Sequence, residues 1–349
     1  MVDSIRKLNK TTLFNLAVRT GSNKPRFRST LFISGTAKGV SLYIDAIQST
    51  SYSMTEEFED YRIFIYYHEM DEQVFKLWQE RDSKVILIPE DASLFTQLKH
   101  KPEILAVART VVLNSIHHHM HANGIEPSNS FLVLMDLDER NFGPRMNVWN
   151  KTLFIETMST SSLWDSVSFN RAFYYDVWAL RYDRFNANTW AFYEDSYNLV
   201  KIIRRDIVRI LNESRLAGEQ YLPVLSAFNG FAIYKLHFTI GCEYSAKCVE
   251  FRSKCKLSGD CEHVAFHKCM RDRHQARIMI NTNYLFTEKS NEPPSVLLAI
   301  SERLKRTFAT LTDASNEYHQ RSLLGFAALL IMLIFCGRRV CTSKACRRR

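Results

Sequence analysis

Between residues 30 and 135, short apolar runs alternate with longer amphipathic stretches, and this alternation restricts the possible folds more than any other feature. The apolar runs predict four strands, at 31–33, 61–67, 84–88 and 131–135. The stretches with helical spacing predict helices at 40–48, 74–81 and 104–121, and the polar residues 34–39 predict a loop. Strands and helices that alternate at this spacing predict an α/β fold, with a mostly parallel sheet covered by helices on both faces.

Two acidic residues follow the fourth predicted strand, where Asp136 and Asp138 stand one residue apart. In parallel sheets, ligands bind at the carboxyl ends of the strands. Alternate residues of an extended chain share a face, so both carboxylates can point into one crevice. Such a pair suits Mg²⁺ or Mn²⁺ that also holds diphosphate oxygens. The same residues also fit a polar turn that only closes the strand.

The net charge of +9 is concentrated at the two ends of the chain. Residues 321–349 carry +7 and residues 1–30 carry +6, which leaves −4 on residues 31–320. A nucleic-acid-binding domain needs its positive charge on the folded body. We therefore expect no nucleic-acid partner.

Residues 323–336 form an uncharged apolar run, preceded by Arg321 and followed by a basic tail. A helix that spans a bilayer needs about 20 apolar residues, and this run has only fourteen. The run therefore also fits a helix buried in the protein core. We expect a C-terminal membrane anchor, which palmitoylation of nearby cysteines would reinforce. The predicted organisation is a basic arm (1–29), a folded domain (30–290), a helical connector (291–320) and a hydrophobic segment with a basic, cysteine-containing tail (321–349).

The sequence does not decide on which side of the membrane the body of the chain (residues 31–320) lies, because two signals conflict. The N-terminal residues lack the apolar core of a signal peptide, which favours a cytosolic body. Positive flanking charges usually stay in the cytosol, so the basic tail favours a cytosolic C-terminus. The body would then lie in the lumen, as in the endoplasmic reticulum or Golgi. Three Asn-x-Ser/Thr triplets, at Asn9, Asn150 and Asn212, are compatible with a lumenal body.

Five cysteines lie between residues 242 and 269, without the Cys-x₂-Cys spacing of zinc sites. They predict disulfides if the body is lumenal, or free thiols if it is cytosolic. Because their number is odd, at least one of them is unpaired.

His117 and His121 are spaced to share one face of a helix, which fits a metal site. Because no carboxylate is nearby to complete such a site, the pair also fits a polar helix end.

Seven stretches together resemble one family. They are LFISGTAKGV (31–40), RIFIYYHEMDEQ (62–73), AVARTVVLN (106–114), FLVLMDLDE (131–139), YYDVWALR (174–181), FNGFAIYK (228–235) and CEHVAFH (261–267). In order and spacing they are similar to the GT-A-fold glycosyltransferases, whose domain is Rossmann-like. The similarity covers about residues 30–287 and is greatest to the glycosyltransferase-like proteins of large DNA viruses and protists. Capsule-type mannosyltransferases are more distantly similar.

The resemblance implies a role for individual residues. Asp136, Asp138 and His263 would hold Mn²⁺ or Mg²⁺, and Asp176 and Glu262 would be acid/base or acceptor-side catalytic groups. The nucleotide-sugar donor would contact Ser34, Gly35, Glu69, Asp71, Arg109 and Asp136. Asp165 and Trp178 would line the acceptor side. Thr110 and the turn 68–71 depart from the family pattern, which affects the expected phosphate contact and donor preference.

The sequence therefore predicts a metal-dependent glycosyltransferase that moves a hexose from a nucleotide-sugar to a glycan or glycoconjugate acceptor. The alternative is a catalytically inactive protein of the same fold that binds carbohydrate or another partner. Whether the reaction inverts or retains the anomeric configuration stays open at this point.

Overall fold

The computed structural model describes residues 25–95, 98, 100–142, 146–171, 174–182, 197–249 and 259–288. The chain divides into two compact units, Met1–Lys289 and Ser290–Arg349, and all of these residues belong to the first. The predicted connector and hydrophobic segment, and nearly all of the basic arm, lie outside the described residues. Within the described residues, no helix is both long enough and apolar enough to cross a membrane.

The secondary structure begins with the alternation that the sequence predicts. The strands are β1 (Phe27–Ala37), β2 (Phe58–Tyr67), β3 (Val85–Pro89), β4 (Ser130–Leu137), β5 (Met146–Trp149), β6 (Ser166–Asn170), β7 (Tyr221–Pro223), β8 (Phe231–Lys235), β9 (Ile278–Tyr284) and β10 (Phe286–Glu288). The helices are α1 (Ile44–Thr55), α2 (Glu72–Arg81), α3 (Lys101–Ala122), α4 (Glu139–Phe142), α5 (Lys151–Ser159), α6 (Tyr197–Leu216) and α7 (Glu262–His274).

Eight strands form one sheet in the order β3-β2-β1-β4-β8-β6-β9-β7, and β5 pairs with β10 separately. Strands β1 to β4 are mutually parallel, which confirms the predicted half of the sheet. Strand β8 lies antiparallel between β4 and β6, and β7 is antiparallel to β9, so the whole sheet is mixed. The Gly230 carbonyl accepts a hydrogen bond from the Asp136 backbone N–H (2.9 Å). The chain thus enters β8 beside the carboxyl end of β4, and β8 must run in the opposite direction.

Helices cover both faces of the sheet because alternate strand residues point to opposite sides. Phe32 belongs to a buried cluster with residues of α3, α6 and α7. Its neighbours Leu31 and Ile33 belong to a second cluster with residues of α1, α2 and α5. The predicted α/β arrangement of two covered faces is therefore confirmed.

Strand β1 is longer than the sequence pattern indicates. Residues 34–37 were predicted to open a loop, but they continue β1 in register with Leu134 to Leu137 of β4. A Cβ on Gly35 would lie 2.5 Å from Cγ of Leu137 and 2.7 Å from the carbonyl oxygen of Met135. Gly35 therefore permits close packing of β1 against β4, and the polar composition of this stretch concealed the strand.

Candidate active site

Asp136 lies near the carboxyl end of β4, and both of its carboxylate oxygens have protein partners. Oδ1 accepts a hydrogen bond from Nη2 of Arg109 (2.8 Å), and Oδ2 accepts one from the Tyr175 hydroxyl (3.0 Å). The Asp136 side chain is 23% exposed, whereas that of Arg109 is 5% exposed. Asp136 therefore presents a fixed, partly accessible carboxylate at the edge of the sheet where ligands bind.

Arg109, on α3, joins β4 to the start of α7. Besides Asp136, it pairs with the buried carboxylate of Glu262 and contacts Nε2 of His263 at 2.6 Å. Burial alone would lower the pKa of Arg109, but the negative charge of Asp136 and other groups raises it overall. The guanidinium therefore stays charged and draws together residues that are 27 to 154 positions apart in sequence.

His263 is a neutral core histidine in this arrangement. Burial, followed by the charge of Arg109, lowers its pKa well below the ordinary value. Its ring stacks on Phe228 with centroids 3.9 Å apart. Because an arginine can only donate, Nε2 of His263 accepts from Arg109 and faces the guanidinium. This orientation does not suit the predicted role of His263 as a metal ligand.

The remaining two predicted metal ligands suit a divalent cation better. No three His, Cys, Asp or Glu side chains of the described part of the chain cluster in a way that could hold a metal. However, Mg²⁺ is commonly held by one or two carboxylates together with substrate phosphates. Each carboxylate oxygen of Asp136 has a second lone pair, and Asp138 is half-buried where α4 begins. Asp136 and Asp138 therefore fit a cation that arrives with a diphosphate.

The segment 174–182 packs beside Asp136 and carries Asp176. Asn229 orders this segment, since its Oδ1 accepts from the backbone N–H groups of Tyr175 (3.2 Å) and Asp176 (3.3 Å). Burial, followed by the negative charge of Asp136, raises the pKa of Asp176. Trp178 is half-buried two residues further along. The structure thus places Arg109, Asp176, Glu262 and His263 around Asp136.

A buried ion pair with no local sequence signal attaches this segment to the residues just before α7. Arg181 and Asp260 have fully buried side chains, and Nη2 of Arg181 lies 2.6 Å from Oδ1 of Asp260. Arg181 also donates to the carbonyl oxygen of Trp178 at 2.8 Å. No local pattern indicates their pairing, because the two residues are 79 positions apart.

Asn141 and Arg171, which no sequence pattern indicated, hold the backbone at Asp136 in place. The Asn141 side-chain amide donates to the carbonyl oxygens of Asp136 (2.7 Å) and Gly230 (2.8 Å), and its Oδ1 accepts from buried Arg171. Asn229 and Gly230 both have positive φ, at 53° and 83°. The Asn-Gly pair directly before an apolar run was the one available sequence signal for this turn.

The donor-binding residues predicted on β1 and β2 are mostly structural. Asp71 is buried, and its carboxylate accepts from the backbone N–H groups of Gly39 (2.6 Å) and Val40 (2.9 Å), which fixes the turn after β1. Ser34 is buried within β1. Glu69, just beyond the end of β2, is exposed at the same sheet edge as Asp136. Of this group, Glu69 is the residue that a ligand can reach most easily.

Asp165 lies at the opposite end of the sheet from Asp136. Its carbonyl oxygen accepts from the N–H of Lys235, which is paired with Phe131 at the start of β4. Phe131 precedes Asp136 by five strand residues, or roughly 16 Å. Although burial opposes it, hydrogen bonds from Arg277 and Lys235 lower the pKa of Asp165 to about 2. The structure does not bring Asp165 to the acceptor side of the site.

Two of the clustered cysteines form a disulfide between Cys242 and Cys269, and Cys248 is also disulfide-bonded. Cys261 is a free, buried thiol whose pKa burial raises well above the ordinary value. Of the two alternatives that the sequence leaves open, the structure shows disulfides, and Cys261 is an unpaired cysteine of the cluster. His117, whose pKa is lowered by burial, lies 3.0 Å from the Thr239 hydroxyl.

Two surface grooves of the described chain lie away from Asp136. One is lined by Thr160, Arg215 and Asn283 among others, and the second runs between β3 and α3 beside Ile88 and His118. Neither contains a residue of the Asp136 cluster. The candidate site is thus defined by its charged side chains and its place at the strand ends.

Fold and site together define an α/β protein with a carboxylate site at the carboxyl end of β4. No protein-family model and no curated protein matches the chain. Among solved structures, the chain is similar to two crystal structures of S. aureus TarS 1-349, one of which is a complex with UDP-GlcNAc. The identities are 9% and 11%, and the TM-score is 0.38 in both cases.

These matches cover 74% and 75% of this chain but 60% of each TarS structure. At a TM-score of 0.38 the likeness carries no argument about fold or activity.

Proposed function

We propose that this chain is a metal-dependent glycosyltransferase that takes a hexose from a nucleotide-sugar. The observation that carries the proposal is the fixed carboxylate of Asp136 at the ligand-binding edge of the sheet, with Asp138 after it and Asp176 beside it. Asp176, an acidic group whose pKa is raised by burial and by the charge of Asp136, is typical of a functional site. The resemblance to GT-A-fold enzymes, and to viral and protist members in particular, rests on the sequence motifs.

Asp136 and Asp138 would hold Mn²⁺ or Mg²⁺ together with the donor diphosphate. The cation would stabilise the negative charge that develops on the leaving nucleoside diphosphate. Tyr175 and Arg109 would keep the Asp136 carboxylate in one orientation. Since Arg109 is buried and shared between Asp136 and Glu262, we assign it to positioning, and its predicted phosphate contact is not part of the proposal.

Asp176 is the better of the two predicted acid/base groups. Glu262 is almost fully buried and paired with Arg109, so an acceptor hydroxyl would have to displace an ion pair to reach it. Asp176 is half-buried beside Asp136, and its raised pKa makes it a stronger base. We assign Asp176 as the general base on the acceptor hydroxyl, which corresponds to an inverting reaction.

The acceptor would be a glycan or glycoconjugate that lies against the segment 174–182. Trp178 offers an indole near Asp176, and aromatic faces suit the apolar side of a sugar ring. The apolar run 323–336 and the basic tail after it are consistent with a membrane-attached enzyme whose C-terminal segment contacts the bilayer.

The proposal is tested by Mn²⁺-dependent release of nucleoside diphosphate from a panel of nucleotide-sugars. The full-length chain is compared with the double variant Asp136→Asn/Asp138→Asn, and with Asp45→Asn as a matched control. Asp45 is an exposed residue of α1 and should not affect turnover. We expect release by the parent and the control, and at least a hundredfold less by the double variant.

Two outcomes would contradict the proposal. If no donor is bound or hydrolysed and the double variant behaves as the parent, the chain is not a glycosyltransferase. If a donor or glycan binds without turnover, the alternative of a catalytically inactive carbohydrate-binding protein is favoured.

A further inference from the structure

The disulfides place a chemical requirement on the compartment in which the body folds. The Cys242–Cys269 bond joins the segment that follows β8 to α7, with Cα atoms 5.7 Å apart, and Cys248 is in a second disulfide. Structural disulfides form and persist in oxidising compartments and are rare in the cytosol. The lumen of the secretory pathway is such a compartment, and it is also where asparagine side chains are glycosylated.

Asn150 lies in an Asn-Lys-Thr triplet at the first turn of α5, in a geometry that leaves its amide nitrogen available. Its Oδ1 accepts from the backbone N–H of Leu153 (3.0 Å) and caps the helix. Its own backbone N–H donates to the carbonyl oxygen of Leu285 (2.9 Å). Thr152 is exposed, and Asn150 itself is half-buried.

We propose that Asn150 is an N-glycosylation site and that residues 25–288 therefore lie in the lumen. The oligosaccharide comes from a lipid-linked diphosphate donor. A C–N bond forms between its anomeric carbon and Nδ2, and the bond from that carbon to the phosphate oxygen breaks. The electron pair leaves with the lipid diphosphate, and Nδ2 loses one proton. Oδ1 is unchanged, so the helix cap to Leu153 survives modification.

The second described triplet is less suited to carry a glycan. Asn212 lies within α6, and its Oδ1 accepts from the Tyr284 hydroxyl at 3.2 Å. The third residue of the triplet, Ser214, is buried. A glycan at Asn212 would project from a helix side that contacts β9, whereas a glycan at Asn150 would leave from the end of a helix.

A lumenal body agrees with the charge at the C-terminus. If residues 323–336 anchor the chain, the basic residues that follow them would remain in the cytosol, as positive flanking charges usually do. The inference is independent of the proposed enzymatic activity, because it rests on the disulfides and the Asn150 geometry alone.

The test uses the full-length chain, expressed in eukaryotic cells, with Asn9→Gln and Asn212→Gln so that only the Asn150 triplet remains. We expect this chain to migrate more slowly on a gel by one step, the shift that a single glycan causes. Treatment with peptide N-glycosidase should reverse the shift. Thr152→Ala should abolish this step, because it removes the hydroxyl needed for glycosylation but leaves the Asn150 cap intact. Thr152→Ser should retain it.

The inference is overturned if the single-triplet chain shows no glycosidase-sensitive step, or if the step persists in Thr152→Ala. Thiol alkylation of the same samples reports on the compartment. Alkylation of Cys242 and Cys269 without prior reduction would show a reducing environment and would also overturn it. Nucleoside diphosphate release by the same preparations separates failure of this inference from failure of the proposed activity.

Discussion

The charge balance around Arg109 is the central feature at the scale of single residues. One buried guanidinium serves both Asp136 and Glu262. Burial of ions has a large desolvation cost, which is offset only where the partners are close and hydrogen-bonded. Removal of Arg109 would leave uncompensated carboxylates, so the effect of an Arg109 variant on activity could not be separated from its effect on folding. Tyr175 is the better residue for a test.

We expect Tyr175→Phe to lower kcat/KM for the nucleotide-sugar about tenfold and to raise the Mn²⁺ concentration needed for half-maximal activity. Burial raises the pKa of Tyr175 well above its ordinary value, so the hydroxyl remains a donor to Asp136. Tyr61→Phe is the matched control, since the Tyr61 hydroxyl donates to Asp82 (2.9 Å), outside the candidate site. Equal losses in the two variants, or an unchanged Mn²⁺ requirement in Tyr175→Phe, would contradict the positioning role.

At the scale of elements, the turn before β8 determines how β4 and the segment 174–182 meet. Gly230 has φ 83°, and its carbonyl oxygen accepts from the backbone N–H of Asp136. A Cβ at this position would overlap the Tyr175 hydroxyl. The left-handed conformation and the close approach both require glycine here.

We expect Gly230→Ala to lower the free energy of unfolding by more than Gly124→Ala and to reduce turnover as well. Gly124 also has a positive φ, 61°, but an added Cβ there meets no atom within 4 Å. Gly124→Ala should therefore cost about 1 to 2 kcal/mol from backbone strain alone, with turnover unchanged. Chemical denaturation and the nucleoside diphosphate assay, applied to both variants, measure these effects. Equal stability and activity in the two variants would show that Tyr175 is not displaced.

At the scale of the whole molecule, buried neutral histidines make stability depend on pH. His267 is fully buried, with the Ser226 hydroxyl 2.9 Å from Nδ1 and the Tyr234 hydroxyl 3.2 Å from Nε2. Burial lowers its pKa to about 3, whereas an unfolded histidine titrates near pH 6.5. Between these values the unfolded chain binds a proton that the folded chain does not, so stability falls as the pH falls.

We expect His267 alone to contribute a loss of about 2 kcal/mol in the free energy of unfolding between pH 6.5 and pH 5. His267→Gln retains polar groups for Ser226 and Tyr234 but cannot titrate. Between pH 6.5 and pH 5, unfolding of His267→Gln should therefore take up about one proton fewer than unfolding of the parent protein. This difference holds even if the variant is less stable than the parent at pH 7. Urea denaturation of both proteins at several pH values gives this number. An identical pH dependence would mean that His267 is protonated in the folded state.

Much of the parallel half of the sheet could be predicted because its information is local. A fully apolar run such as 131–135 fits a strand buried on both faces, and helical spacing follows each of the first three strands. Strands β6, β8 and β9 were not predicted, since their pairing partners are distant in sequence. For the same reason, the Arg181–Asp260 pair and the support of Asp136 by Asn141 were missed.

The sequence by itself determined that the chain folds as an α/β protein with Asp136 and Asp138 at the end of its fourth strand, because strand periodicity and strand order are properties of neighbouring residues. Only the tertiary structure decided what surrounds these carboxylates. It brought Arg109, Tyr175, Asp176 and Glu262 to Asp136, turned His263 toward Arg109, and placed Asp165 at the opposite end of the sheet. These contacts join residues up to 154 positions apart. They depend on how the two faces of the sheet are packed, which no local pattern records.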